Sequence, residues 1–301
     1  MSAVGATTTA NYIGRFAPSP SGPLHFGSLI AALGSYLQAK SQQGKWLLRI
    51  EDIDTPRVQT GADSAIMHTL EAFGLYWDDA VIYQSQRLER YQQIFSELQQ
   101  RGLLYGCQCS RREISLAGGI YAGNCARLGL TREPLAWRLR AAGVSTQFDD
   151  LIFGQQQIDP ALAHEDYIVK RRDGLFSYQL VVVIDDMDQQ ITEVIRGADL
   201  LSMTSRQQHL FSVLAHTAPR YGHLPLAVSS PGHKLSKQNH ASALDQWPLQ
   251  HSLCAALQLL GHPVPSPLHS APVSEIMAWA LKHWQLTKVP VTTEIHCSAF
   301  A

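Results

Sequence analysis

Apolar residues change their spacing several times along the chain, and each change marks an element. Asn11 to Ala17 (NYIGRFA) reads as a short strand that breaks at Pro18-Ser19-Pro20-Ser21-Gly22-Pro23, where prolines fix φ and remove donors. From His25 to about Lys40, Leu, Ala and Ile follow a helical pattern. Trp46-Leu47-Leu48-Arg49-Ile50 is then a continuous run suited to a buried parallel strand. Strand, Gly/Pro turn, helix and buried strand form a βαβ unit, which predicts an α/β fold with a Rossmann-type doubly wound parallel sheet.

Ser64–Phe73 and Arg87–Arg101 read as further helices. Cys107–Arg132 has many glycines and no clean period, so it is expected to be an inserted loop or small subdomain. Tyr167–Lys170 and Gln179–Ile184 (QLVVVI) are predicted as core strands. Asp185 and Asp186 then fall at the carboxyl end of the second, where such sheets bind ligands. Beyond Asn239 the pattern is mostly helical to about Trp284, with breaks at Pro263, Pro265 and Pro267. The expected units are 11–105 and 166–240 as two halves of a catalytic domain, 106–165 as an insertion, and 241–301 as a helical C-terminal region.

Composition adds limits more than direction. The chain has 301 residues, 45% of them hydrophobic, enough for a substantial core, and its net charge of -1 excludes no partner. Phosphate contacts can come from local clusters such as Arg111–Arg112, Arg138–Arg140 or Lys170–Arg172, each of which also reads as a solvated face. Met1–Ala10 has no basic or apolar stretch, and no run reaches the ~18 apolar residues of a spanning helix. A soluble, cytoplasmic protein with no membrane partner is expected. Three of five cysteines crowd between Cys107 and Cys125, which fits thiols in a reducing compartment or a metal site better than a disulfide framework.

Two constellations carry chemistry. In Arg15-Phe16-Ala17-Pro18-Ser19-Pro20-Ser21-Gly22-Pro23-Leu24-His25-Phe26-Gly27-Ser28, a stiff turn delivers His25 and Gly27 to the first turn of a helix. A helix start offers unpaired N–H groups and a positive dipole end to polyphosphate. In Lys234-Leu235-Ser236-Lys237-Gln238, two lysines flank a serine in a glycine-bearing loop and can donate to phosphate oxygens. Each alone is ordinary structure.

Together, about two hundred residues apart, they resemble the HIGH and KMSKS motifs of class I aminoacyl-tRNA synthetases. The Arg15–His25 stretch, Arg49-Ile50-Glu51-Asp52-Ile53-Asp54 and Val194-Ile195-Arg196-Gly197-Ala198-Asp199-Leu200-Leu201 are similar to the glutamyl branch. The resemblance covers roughly residues 12–240. It departs at Phe26 and Ser28, which replace two letters of HIGH, and at Leu235 and Gln238 in KMSKS.

The resemblance implies ATP-dependent activation of L-glutamate with Mg²⁺. It implies a glutamate pocket of Arg15, Ser19, Glu51, Tyr178 and Arg196. The arginines suit the two carboxylates and Glu51 the ammonium; which arginine takes which carboxylate stays open. His25, Lys234 and Lys237 are the implied catalytic groups, with His25, Gly27 and Lys237 at ATP. Asp199 and Arg206 lie in the stretch the family uses near the nucleotide. Cys107, Cys109, Tyr121 and Cys125 match a zinc pattern of some bacterial members; buried structural thiols are the competing reading, and His164 a distant alternative ligand.

About sixty residues follow Lys237, enough for a few helices but not for an anticodon-binding domain. The expectation is therefore a truncated, monomeric paralogue. Its implied acceptor is queuosine at the wobble position of tRNA(Asp), with Tyr121 or Trp137 available for stacking. The alternatives are a truncated synthetase that charges a tRNA 3′ end and a catalytically silent paralogue with a binding role.

Overall fold

The computed structural model describes residues 12–235 and 244–297. Strands β1 (Ile13–Phe16) and β2 (Lys45–Ile50) run parallel, joined by helix α1 (Phe26–Ser41), and β3 (Ile82–Tyr83) continues the parallel sheet beyond β2. Helices α2 (Ala62–Ala72) and α3 (Leu88–Gln100) flank β3 in sequence. The second half of the sheet holds β6 (Gln147–Asp150), β9 (Glu193–Gly197) and β10 (Arg220–Leu224), in the order β6-β10-β9 and all parallel.

The halves meet where the Thr192 N–H donates to the Ile13 carbonyl at 2.9 Å. Strand order therefore reverses between β1 and β9. Such a switch point opens a crevice at the carboxyl ends of the strands, and the first motif meets Leu235 of the second there.

Between the halves lie β4 (Leu104–Cys107), the short α4 (Arg111–Leu116), β5 (Ala136–Leu139), β7 (Gly154–Gln157), α5 (Pro160–Ala163) and β8 (Tyr167–Lys170). β4, β5 and β8 form an antiparallel sheet, and β7 pairs antiparallel with β6. Helix α6 (Tyr178–Asp188) precedes β9, and α7 (Thr204–Val213) follows it. A hairpin of β11 (Leu226–Ser230) and β12 (His233–Lys234) leads on to α8 (Leu249–Leu259), α9 (Val273–His283) and β13 (Glu294–His296). No described helix is long and apolar enough to cross a membrane.

Helix α1 is buried nearly all round, packed on the sheet on one side and on α8 and α9 on the other. Fully buried Leu33 and Leu37 contribute about 2 kcal/mol each by leaving water. Trp46 fills the space beside them, its indole N–H donating to Ser35 Oγ at 3.0 Å.

One prediction fails. Gln179–Ile184 is not a strand but part of α6. A short all-apolar run has no period that separates a buried strand from a helix buried on every face. Leu180 to Asp186 are all buried, so tertiary packing overrides the β preference of three valines. Asp185 and Asp186 lie late in that helix, and their carboxylates meet arginines below the crevice instead of facing a ligand.

Candidate active site

The crevice is built from the first motif outward. His25 is the N-cap of α1, with an extended backbone. Its Nδ1 accepts the Ser28 N–H at 3.2 Å, which leaves Nε2 to donate to Ser28 Oγ at 3.0 Å. Ser28, a departure from the family motif, thus fixes the ring. No acidic residue occupies the first turn of α1, so its positive end stays available to an anion.

Gly27 explains how the second motif reaches the first. A Cβ on Gly27 would lie 2.8 Å from the Leu235 carbonyl oxygen, so only glycine lets that chain pass over the helix start. On the far side of residues 236–243, the Leu244 N–H donates to the Leu24 carbonyl at 3.2 Å. Both flanks of that segment therefore rest on the His25 turn. Lys234 pairs with Val228 through the backbone of β12. Lys237 lies outside the described residues.

Ser19, His25, Gly27 and Asp199 line one cleft, with Pro225 and Leu226 on its far wall. Arg15, Glu51 and Arg196 are nearly excluded from solvent behind it. Half-buried Tyr178 at the start of α6 is their common neighbour: its phenol is raised first by burial and feels Arg196, Glu51 and Arg15 together. Two guanidiniums and two carboxylates, those of Glu51 and Asp186, thus act on one phenol.

Glu51 is held by its backbone, whose N–H donates to the Pro18 carbonyl at 2.9 Å. Its Oε1 is buried without a hydrogen-bond partner among the described residues; the nearest cation, Arg49 Nη2, is 3.7 Å away. Burial pushes its carboxyl up to about 7, against the pull of Arg49 and Arg15. An unsatisfied carboxylate oxygen of this kind suits an incoming ammonium.

Beneath these groups lies a charged layer that the sequence did not announce. Arg15 Nε and Nη2 donate to the two oxygens of Asp186 at 3.2 and 3.4 Å, and Arg49 Nη2 donates to the same carboxylate at 2.8 Å. Burial raises Asp186, but Arg15 and Arg49 outweigh it and hold the carboxyl below its usual range. Asp185 accepts from Gln84, Arg87 and Tyr91. Arg49 was legible as part of an apolar run and of a motif similar to the glutamyl branch, but with no role of its own. A charge inside such a run is the one signal available, because burying it demands a partner.

Arg196 is held otherwise. It donates to His223 Nε2 at 3.0 Å, Gln207 Oε1 at 2.7 Å, Thr204 Oγ1 at 3.0 Å and the Leu200 carbonyl at 3.2 Å. Neither His223 nor its partner Asp150 was singled out in sequence. Arg206, in the stretch the family uses near the nucleotide, pairs with Glu165 at 2.7 Å.

The cysteine group forms a separate site. Cys107, Cys109 and Cys125 place their sulfurs within 4.8 Å of one another, Cys109 and Cys125 at 3.5 Å. Zn–S bonds of ~2.3 Å in a tetrahedron imply S···S edges of about 3.8 Å, so the thiols fit a zinc ion. Tyr121 adjoins them, its hydroxyl accepting the Cys125 N–H at 2.9 Å. Burial and then Cys125 push Cys109 up to about 12. His164 is not in this group. Tyr121 is buried, with Arg138 3.7 Å from its ring centre, and Trp137 stands edge-on to Phe95, so Tyr121 offers no free face for stacking.

Residues 13–120 and 130–266 match the family described as tRNA synthetases class I (E and Q), catalytic domain. The chain belongs to this family. It is 52% identical to a glutamyl-Q tRNA(Asp) synthetase of Vibrio vulnificus (strain YJ016), over 96% of this chain and 94% of the relative. It is also 51% identical to that of Serratia proteamaculans (strain 568), over 96% and 97%. Among solved structures, a glutamate-tRNA synthetase from Elizabethkingia anophelis shares the fold, with a TM-score of 0.79 at 24% identity over 96% of this chain and 68% of the other. Membership implies ATP as substrate, and the thiol group can hold a metal ion.

Proposed function

We propose that the protein activates L-glutamate with MgATP and transfers it to queuosine in tRNA(Asp), a reading supported by its similarity to relatives named glutamyl-Q tRNA(Asp) synthetase. The observation that carries this reading is that Arg15, Arg196 and Glu51 are buried charges that all act on Tyr178, while Ser19 and Gly197, their neighbours in the chain, line the His25 cleft. With Asp186 taken up by Arg15 and Arg49, two cations and the Glu51 carboxylate complement the two carboxylates and one ammonium of glutamate.

An α-carboxylate oxygen of glutamate attacks the α-phosphorus of ATP in line, and the bond to pyrophosphate breaks. No protein nucleophile is needed; positioning and charge stabilisation do the work. The first turn of α1, His25 and Lys237 serve the phosphates, and Lys234 assists from β12. A hydroxyl on the cyclopentene ring of queuosine then attacks the glutamyl carbonyl, releasing AMP and leaving an ester. Zinc held by Cys107, Cys109, Cys125 and Tyr121 would be structural, closing the loop between β4 and β5. The protein acts on tRNA in the cytoplasm.

The test is transfer of labelled glutamate to tRNA(Asp) with and without queuosine. Label on the modified base only is expected; label at the terminal ribose, or equal label on unmodified tRNA, would replace this reading with 3′-end charging.

A further inference from the structure

The two pocket arginines differ in what compensates them. Arg15 shares Asp186 with Arg49, a direct ion pair. Among the described residues, no carboxylate oxygen lies within 4.0 Å of the Arg196 guanidinium; its partners are an imidazole, an amide, a hydroxyl and a carbonyl. The nearest step toward a negative charge runs through His223, whose Nδ1 stands 2.6 Å from Asp150 Oδ2.

The sheet lays out this chain. His223 on β10 is the register partner of Arg196 on β9, and β6, ending at Asp150, pairs on the other side of β10. Asp150, His223 and Arg196 thus form a row along the carboxyl edge of three parallel strands. Asp150 and His223 are wholly buried. Asp150 Oδ1 is itself fixed by the N–H groups of Ile152 and Phe153, both at 2.9 Å.

We infer that Asp150 and His223 are positioning residues for glutamate: Asp150 holds His223 in its Nδ1–H form, so that Nε2 accepts from Arg196 and fixes the guanidinium without neutralising it. This rests on the glutamate-activation reading given above. A carboxylate placed directly on Arg196 would orient it equally well but would compete with the substrate carboxylate. A neutral ring between them separates orientation from charge. Burial lowers His223 below the ordinary imidazole value despite Asp150, in keeping with a neutral ring.

The sharpest test is Asp150→Asn. The amide oxygen keeps the Ile152 and Phe153 N–H bonds, while its NH₂ faces Nδ1 and forces the proton onto Nε2, donor against the Arg196 donor. Glutamate-dependent ATP–pyrophosphate exchange should then show a glutamate KM raised about tenfold or more, with the ATP KM within about twofold. His223→Leu should do the same, and His223→Gln, whose amide oxygen can accept from Arg196, should recover most of the loss.

Equal rises in both KM values that follow a fall in melting temperature, or no rise with Asp150→Asn, would overturn the inference. Should His223→Leu not fold, the Asn and Gln variants decide it. Absence of glutamate-dependent exchange in the unmutated protein would defeat the activation reading instead, so the two failures are distinct.

Discussion

The two ends of the cleft are built on different principles. At the amino-acid end, charges are buried and fixed in advance: Arg15 by Asp186, Arg196 by His223 and Gln207, Glu51 by its backbone. At the nucleotide end, the described surface is the backbone of a helix start, one half-buried imidazole, a glycine crossed by a carbonyl, and serine hydroxyls with the single carboxylate of Asp199. Glutamate must be told from other amino acids, and desolvated complementary charges reject a ligand that leaves them unpaired. A polyphosphate must be held, split and released, which suits helix N–H groups and lysines.

The largest effect should come from the nucleotide end. Lys237→Ala is expected to slow glutamate-dependent exchange by about 10²-fold or more with an unchanged melting temperature, because it removes a cation from the transition state. An unchanged rate would remove Lys237 from the site.

At the amino-acid end, Glu51→Gln should raise the glutamate KM by about 10²-fold while leaving the fold as stable or more so. The sign follows from its raised carboxyl. In the empty protein, burying ionised Glu51 costs stability that appears above the ordinary glutamate value and is complete above about 7. The variant should therefore gain most at alkaline pH, read by thermal melts at pH 5 and pH 8. For the unmutated enzyme, the glutamate KM should climb as pH drops below about 7, since protonated Glu51 no longer attracts an ammonium. A pH profile as steep in Glu51→Gln would place the titration elsewhere.

Gly27→Ala should have a smaller effect: a methyl against the Leu235 carbonyl, costing about 1–3 kcal/mol and raising the ATP KM more than the glutamate KM. The smallest effect on activation belongs to the thiol loop, remote from both ends. Cys109→Ala should lose zinc by elemental analysis and lower the melting temperature, with exchange within about threefold. An unmutated protein without zinc would dismiss the metal.

Legibility followed range. His25, Gly27, Arg15 and Glu51 were singled out because each sits in a short motif that resembles the family's, and their proposed roles rest on that resemblance. The βαβ start and the helices around residues 64–101 were readable from period. The supporting layer was not: Arg49 meets Asp186 across 137 positions and Arg15 meets it across 171, and no local pattern encodes such pairs. Misreading α6 as a strand hid the partner, since a strand end would have sent Asp186 toward the ligand. His223 and Asp150 were hidden for the same reason; only the sheet register makes them neighbours.

The close approach of Leu235 to Gly27 sets a leash for Lys237, the lysine proposed to serve the phosphates. Lys237 is two residues on, so its Cα cannot stray more than about 7 Å from that of Leu235 in any conformation. With the Leu244 N–H moored to Leu24 on the return side, whatever carries the ammonium toward a phosphate begins and ends at the same helix start. Residues inserted between Leu235 and Lys237 would lengthen that tether and, on the proposed role of Lys237, should weaken its hold on the phosphates without touching a single contact described above.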